Sequence, residues 1–122
     1  AAISVVDTRT HTVVGTVKFD EGTRPMGIVA SPDGSRVYVS TGRTGRVLGV
    51  DTADTRRVET FPDVGARPWG IAISRDGKTL FTANGPSNDV SVIDVDSHRV
   101  VGKIPVGAGP WGLALIDRSS GS

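Results

Sequence analysis

Two arginines stand directly before prolines in equivalent places, Arg24-Pro25 and Arg67-Pro68. The residue after each proline is large: Met26, Trp69 and, in a third copy that opens Gly109-Pro110, Trp111. Guanidinium groups and indole faces gathered at one place suit an anionic or planar ligand, held by charge-assisted hydrogen bonds and stacking. The competing reading of these residues is packing, in which a tryptophan between proline and glycine wedges neighbouring structural units and binds nothing.

The other side chains offer less chemistry. His11 and His98 fall in equivalent turns two repeats apart, where ligands diverge rather than converge on one ion, so both read as solvated turn residues. The chain has no cysteine, which excludes disulfides and thiolate chemistry. With only the glutamates Glu21 and Glu59, a paired-carboxylate acid–base site is hard to assemble. A nucleophile elbow, a His-Glu-x-x-His helix and a phosphate-cradling glycine loop are all missing from the sequence. Residues 84–89 carry oxygens that Ca²⁺ could use but lack the spacing of a known calcium loop. The sequence therefore predicts no catalytic residue, no metal and no cofactor. Its candidate ligand-binding residues are Arg24, Met26, Arg67, Trp69 and Trp111.

These residues recur because the chain repeats itself at a period of about 43 residues, the mark of an array whose units stack because none buries its apolar face alone. Arg24-Pro25-Met26-Gly27-Ile28, Arg67-Pro68-Trp69-Gly70-Ile71 and Gly109-Pro110-Trp111-Gly112-Leu113 are its anchors. In the same register Ser31-Pro32-Asp33-Gly34 matches Ser74-Arg75-Asp76-Gly77, and Asp7, Asp51 and Asp94 share one position. Asp33 and Asp76 read as turn formers, and the other three as strand-ending carboxylates that accept backbone donors.

Within a unit the apolar residues alternate over short runs, which predicts strands. Ile71-Ala72-Ile73 runs into the turn at residues 74–77, Leu80-Phe81-Thr82-Ala83 returns, Val90-Ser91-Val92-Ile93-Asp94 alternates again, and Arg99 to Ile104 ends at Pro105. Pro105 cannot donate to a ladder and fits a strand end or outer edge. Four short antiparallel strands in ~40–45 residues, without a helical period, predict an all-β fold of β-propeller blades.

The run Pro68-Trp69-Gly70-Ile71-Ala72-Ile73-Ser74, then Asp76-Gly77-Lys78, an aromatic strand, and Val90-Ser91-Val92-Ile93-Asp94 resembles the YVTN family of bacterial and archaeal β-propeller repeats. Val37-Tyr38-Val39-Ser40-Thr41 and Leu80-Phe81-Thr82-Ala83-Asn84 stand at the tetrapeptide for which that family is named, and the resemblance covers residues 3–116. It implies that the Pro-x-Gly segments are innermost strands lining a central channel. It also implies a periplasmic or extracellular setting, with any export signal upstream of Ala1. Propellers similar to this one accompany quinone-cofactor dehydrogenases or carry lactone hydrolysis, and others are structural repeats of envelope proteins. The residues themselves favour a non-catalytic binding or interaction module with the channel mouth as its contact surface.

On this reading residues 1–24 hold the outer strands of a partial blade, 25–67 and 68–109 are blades, 110–116 form the innermost strand of a closing blade, and 117–122 are a tail or linker. That is roughly 2.75 blades, where closure usually takes four to eight. The missing blades are expected either from a longer chain or from a second copy. A dimer is preferred because it gives about six blades, although the blade shared between copies would lack its second strand. Charge argues against a nucleic-acid partner: 14 basic and 13 acidic residues are spread evenly and give a net charge of +1, with no one-sided basic patch. No segment is long and apolar enough to span a membrane.

Overall fold

Alternation of inward and outward side chains builds three antiparallel sheets in a computed structural model that describes residues 1–116. The expected tail at 117–122 lies outside the described residues. β1 (Ala2–Asp7) and β2 (Thr12–Lys18) form a two-stranded sheet. β3 (Gly27–Ala30), β4 (Arg36–Ser40), β5 (Val47–Asp51) and β6 (Val58–Phe61) follow in order as a first blade. β7 (Pro68–Ile73), β8 (Thr79–Asn84), β9 (Asp89–Asp94) and β10 (Arg99–Pro105) form a second. Apart from the strands there are only two three-residue 3-10 turns among the described residues, Gly42–Thr44 and Gly85–Ser87. The chain is thus a partial all-β propeller.

The recurring geometry of the turns comes from their aspartates. Asp33 Oδ1 accepts the Ser31 hydroxyl at 2.8 Å, the Ser35 N–H at 2.9 Å and the Ser35 hydroxyl at 2.7 Å. Those donors to its ionised form pull its pKa from 3.8 to about 2. Asp76 accepts the Ser74 hydroxyl and the Lys78 N–H in the same way. At the strand-ending position Asp7 takes the Arg9 N–H, Asp51 the Ala53 N–H and Asp94 the Ser97 N–H, as expected from the sequence.

The main core lies between the two complete blades. Tyr38, Val47, Phe61 and Val64 from the first meet Leu80 and Ile93 from the second, with Ile71, Ile73, Val95 and Val100 packed around them. A buried polar seam ties the connecting segment to the second blade. Thr82 Oγ1 donates to Asn84 Oδ1, Asn84 Nδ2 donates to Ser91 Oγ at 2.8 Å, and Ser91 Oγ donates to the Val64 carbonyl. Every donor in the seam is satisfied, as burial demands.

The blades come closest at their first strands, and there the glycine of Pro-x-Gly is required. A Cβ on Gly27 would lie 2.5 Å from the Trp69 carbonyl oxygen, and one on Gly70 would lie 2.6 Å from the Trp111 carbonyl oxygen. Each repeat sets the carbonyl of its large residue against the glycine of the repeat before it. In the first blade the Gly27 N–H donates to the buried Ser40 hydroxyl, which donates to the Trp69 carbonyl. In the second, Ala83 stands in the place of Ser40, and the Gly70 N–H reaches the Trp111 carbonyl directly at 2.8 Å.

One element departs from expectation. Residues 110–116 form no strand, so the described residues hold ten strands rather than the eleven that the pattern implied. The Trp111 carbonyl is docked on β7, but a ladder needs a neighbouring strand in register, and for this segment no such neighbour exists among the described residues.

Two outcomes follow from these contacts. Gly70→Ala drives a Cβ into main chain that cannot rotate away, and should destabilise by about 1–3 kcal/mol in denaturant titration. Gly112→Ala, where a Cβ would meet nothing within 4 Å, should be near neutral in the isolated chain. For Asp33 the folded pKa lies below the unfolded one, so its contribution is present above the unfolded value and is lost as pH falls towards the folded value. The melting-temperature gap between wild type and Asp33→Asn should therefore be full above pH 4 or so and close as pH falls to about 2.

Candidate functional site at the inner rim

The five residues singled out from the sequence converge. Arg24, Met26, Arg67, Trp69 and Trp111, with Gly42 and Arg43, line one cavity of about 370 Å³ at the inner edge of the blades. Local structure explains how each arrives. Met26 lies across Gly42 and Trp69 across Gly85: a Cβ at either glycine would fall within 2.9 Å of the side chain above it. These glycines open the two 3-10 turns, so each turn forms the floor beneath the large residue of its own blade.

The indoles of Trp69 and Trp111 meet edge to face, centroids 5.4 Å apart at 75°, the arrangement their quadrupoles prefer. Trp69 is half-buried, whereas Trp111 is 74% exposed, so the pair presents one fixed ring and one open ring. Around them stand three guanidinium groups. Arg43 enters from the turn Gly42–Thr44 and was not singled out in the sequence; its only signal there is its place one residue after Gly42, matching Pro86 after Gly85. Among the described residues Arg24, Arg43 and Arg67 form no ion pair, and no carboxylate lines the cavity.

Arg67 carries a backbone cost. Its φ is 46°, in the left-handed region that non-glycine residues rarely enter, and the equivalent place in the next repeat is taken by Gly109 at φ 66°. His11, Asp63, Asn88 and His98 are the other non-glycine residues in this region among the described residues.

The other sequence candidates lie elsewhere. His98 is not a solvated turn residue. Its ring packs on Phe61 of the preceding blade with centroids 4.2 Å apart, and Nε2 lies 3.2 Å from Glu59 Oε2. Arg36 of the same blade as Glu59 approaches that carboxylate at 3.5 Å, so Glu59 links its own blade to His98 of the next. Glu59 and Phe61 reach His98 only across the blade junction, which the local sequence around His98 does not contain. His11 occupies the same left-handed turn position and is exposed. In the segment weighed for Ca²⁺, Asp89 Oδ1 accepts from Asn84 Nδ2 and the Ser87 hydroxyl. Among the described residues no group of three or more His, Cys, Asp or Glu side chains could hold a metal ion.

Repeated four-stranded antiparallel sheets meeting at their first strands define a β-propeller protein. The chain belongs to the YNCE-like beta-propeller family, whose model matches residues 1–120. No curated protein sequence matches it. Among solved structures it is similar to hydrazine synthase of Kuenenia stuttgartiensis, with 30% identity and a TM-score of 0.70 over 83% of this chain and 28% of that one. It is also similar to a putative 6-phosphogluconolactonase of Bacteroides fragilis, with 22% identity and a TM-score of 0.71 over 86% of this chain and 32% of that one. A functionally unknown protein of Desulfotomaculum acetoxidans gives 16% identity and a TM-score of 0.73 over 91% and 37%. The last two likenesses show the fold alone. The chain spans about a third of the length of each of these proteins. No helix among the described residues is long and apolar enough to cross a membrane.

The two tryptophans should separate packing from display. Trp69→Ala removes a ring that covers Gly85 and should cost about 1–3 kcal/mol, whereas Trp111→Ala should stay within about 0.5 kcal/mol of wild type. Denaturant midpoints read both.

Proposed function

We propose that this chain is a non-catalytic binding module of a β-propeller, and that its contact surface is the inner-rim cavity, which takes a planar anionic ligand. The observation that carries the reading is the convergence, from successive repeats, of Arg24, Arg43 and Arg67 without a carboxylate partner beside the Trp69–Trp111 pair. Like charges held on one rim repel unless an anion lies between them, and the indole faces add stacking for a flat ligand. The unfavourable backbone of Arg67 supports the same reading. The ring is completed by further blades, from a second copy with a dimer preferred, or from a longer chain. A periplasmic or extracellular setting belongs to the proposal through the family resemblance.

A second reading makes the chain the propeller part of an enzyme system. The observation that favours it is the 30% identity to hydrazine synthase. The lining of the cavity holds no carboxylate or histidine, so under this reading the cavity is a docking or substrate-holding surface and the chemistry lies elsewhere. A structural repeat of an envelope protein is the reading left if the cavity binds nothing.

The test uses benzene-1,3,5-tricarboxylate as the probe, with propane-1,2,3-tricarboxylate as its non-planar counterpart. Calorimetry and tryptophan fluorescence should show binding of the planar acid, tighter than that of the flexible one, and the melting temperature should rise with ligand by linkage. Arg67→Gly should leave the melting temperature of the free protein equal or higher, because glycine suits a φ of 46°, and should abolish the response to ligand. A response that survives the substitution, or no binding at millimolar probe, would overturn the proposal.

A further inference from the structure

The lining of the inner-rim cavity changes character from one blade to the next. At the first blade it is cationic. A Cβ on Gly42 would lie 2.9 Å from Met26 Cγ and 3.6 Å from the Arg24 carbonyl oxygen, and Arg43 follows Gly42 directly. Arg24 and Arg43 therefore leave the main chain close together, on either side of Met26. At the second blade the lining is aromatic. The six-membered ring of Trp69 lies over the matching turn, with Cζ3 2.5 Å and Cη2 2.8 Å from where a Cβ on Gly85 would stand. The Trp111 indole meets that ring edge to face. In this turn Pro86 holds the place of Arg43, and in the next repeat Gly109 holds the place of Arg67. The guanidinium groups stop where the indoles begin, with Arg67, in the segment that joins the two blades, at the boundary.

This division restricts what the cavity can hold. Its volume of about 370 Å³ is at the lower end of the range for small-molecule sites, and its three cations sit towards one end. An anion with charges spread around a ring sets one of them against the indoles, whose faces repel negative charge and where no guanidinium offsets the lost hydration. A ring with its charges along one edge avoids that cost. Guanidinium forks take adjacent oxyanions in bidentate pairs, and the bare edge of the ring is left to the indoles.

We infer that the ligand of this cavity is polarised: a flat ring with two or three adjacent oxyanions along one edge, seated with that edge on Arg24, Arg43 and Arg67 and its bare edge against Trp69. The inference rests on the reading of the cavity as a planar-anion site and narrows the class of anion it takes. Arg43 and Pro86, equivalent residues of successive turns, are then the pair that sets the direction of the ligand.

Two isomers of the same mass and charge separate the cases, benzene-1,2,3-tricarboxylate with its charges on one edge and benzene-1,3,5-tricarboxylate with them spread around the ring. At about pH 8, where the carboxylates of both are ionised, calorimetry should give the 1,2,3 isomer a dissociation constant about tenfold lower, the gain expected of one further charge-assisted hydrogen bond. Pro86→Arg gives the second turn the residue that the first turn already carries, so circular dichroism should show an intact fold. It should tighten the 1,3,5 isomer about tenfold and leave the 1,2,3 isomer within about twofold, because only the former carries a charge to the aromatic end. Arg43→Pro reads the same division from the other end and should weaken the 1,2,3 isomer more than the 1,3,5 isomer. Equal affinity of the wild type for the two isomers, or equal tightening of both by Pro86→Arg, would overturn the polarised ligand and leave the planar-anion reading in place. Failure of both isomers to bind at millimolar concentration would overturn the two together.

Discussion

The contact between one repeat's carbonyl and the preceding repeat's glycine governs this structure. At 2.5–2.6 Å from where a Cβ would stand, the carbonyls of Trp69 and Trp111 tolerate only glycine at positions 27 and 70. That contact brings the first strands of neighbouring sheets together, and the wider separation of the outer strands follows from the right-handed twist of each sheet. Between the outer parts there is room for side chains as large as Phe61 and Tyr38, which fill the wedge with Leu80 and Ile93. Narrow inside and wide outside, the blades have the taper that arranges sheets around an axis.

The same contact places the candidate site. Because the residue between proline and glycine sets its carbonyl against the previous blade as an acceptor, its side chain is turned to the rim, where Met26 and Trp69 settle over the glycines of their own 3-10 turns. The arginine before the proline is carried to the rim with it. A fold that needs only the glycine and the carbonyl leaves the side chains on either side of the proline free for recognition, and here they are cationic and aromatic. Arg67 shows the balance: the backbone would accept glycine more readily, as at Gly109, yet holds a guanidinium.

At the outer side, the junction is held by chemistry that differs from place to place along one geometric plan. Phe61 accepts the His98 ring and Glu59 its Nε2, with Arg36 on the same carboxylate. The equivalent places on β10 are Ile104 and, opposite Val92, Gly102. Partly exposed pairs such as Glu59 with His98 contribute little by themselves, so the apolar cluster holds the junction and the polar contacts orient it.

The sequence by itself determined the repeat, the strands, the aspartate turns and the rim residues, because each is written in local terms. Alternation fixes which face a side chain takes, and Asp-Gly turns and Pro-x-Gly segments fix backbone conformation within a few residues. Equivalence under the repeat then brought Arg24, Met26, Arg67, Trp69 and Trp111 to one place without any structure. Only the tertiary structure decided what depends on neighbours distant in the chain. It placed Arg43 in the cavity, because the turn at Gly42 curls under Met26. It took His98 from solvent onto Glu59 and Phe61, residues of another blade. It also withheld the strand at 110–116, whose pattern is right but whose ladder needs a partner that local sequence cannot supply.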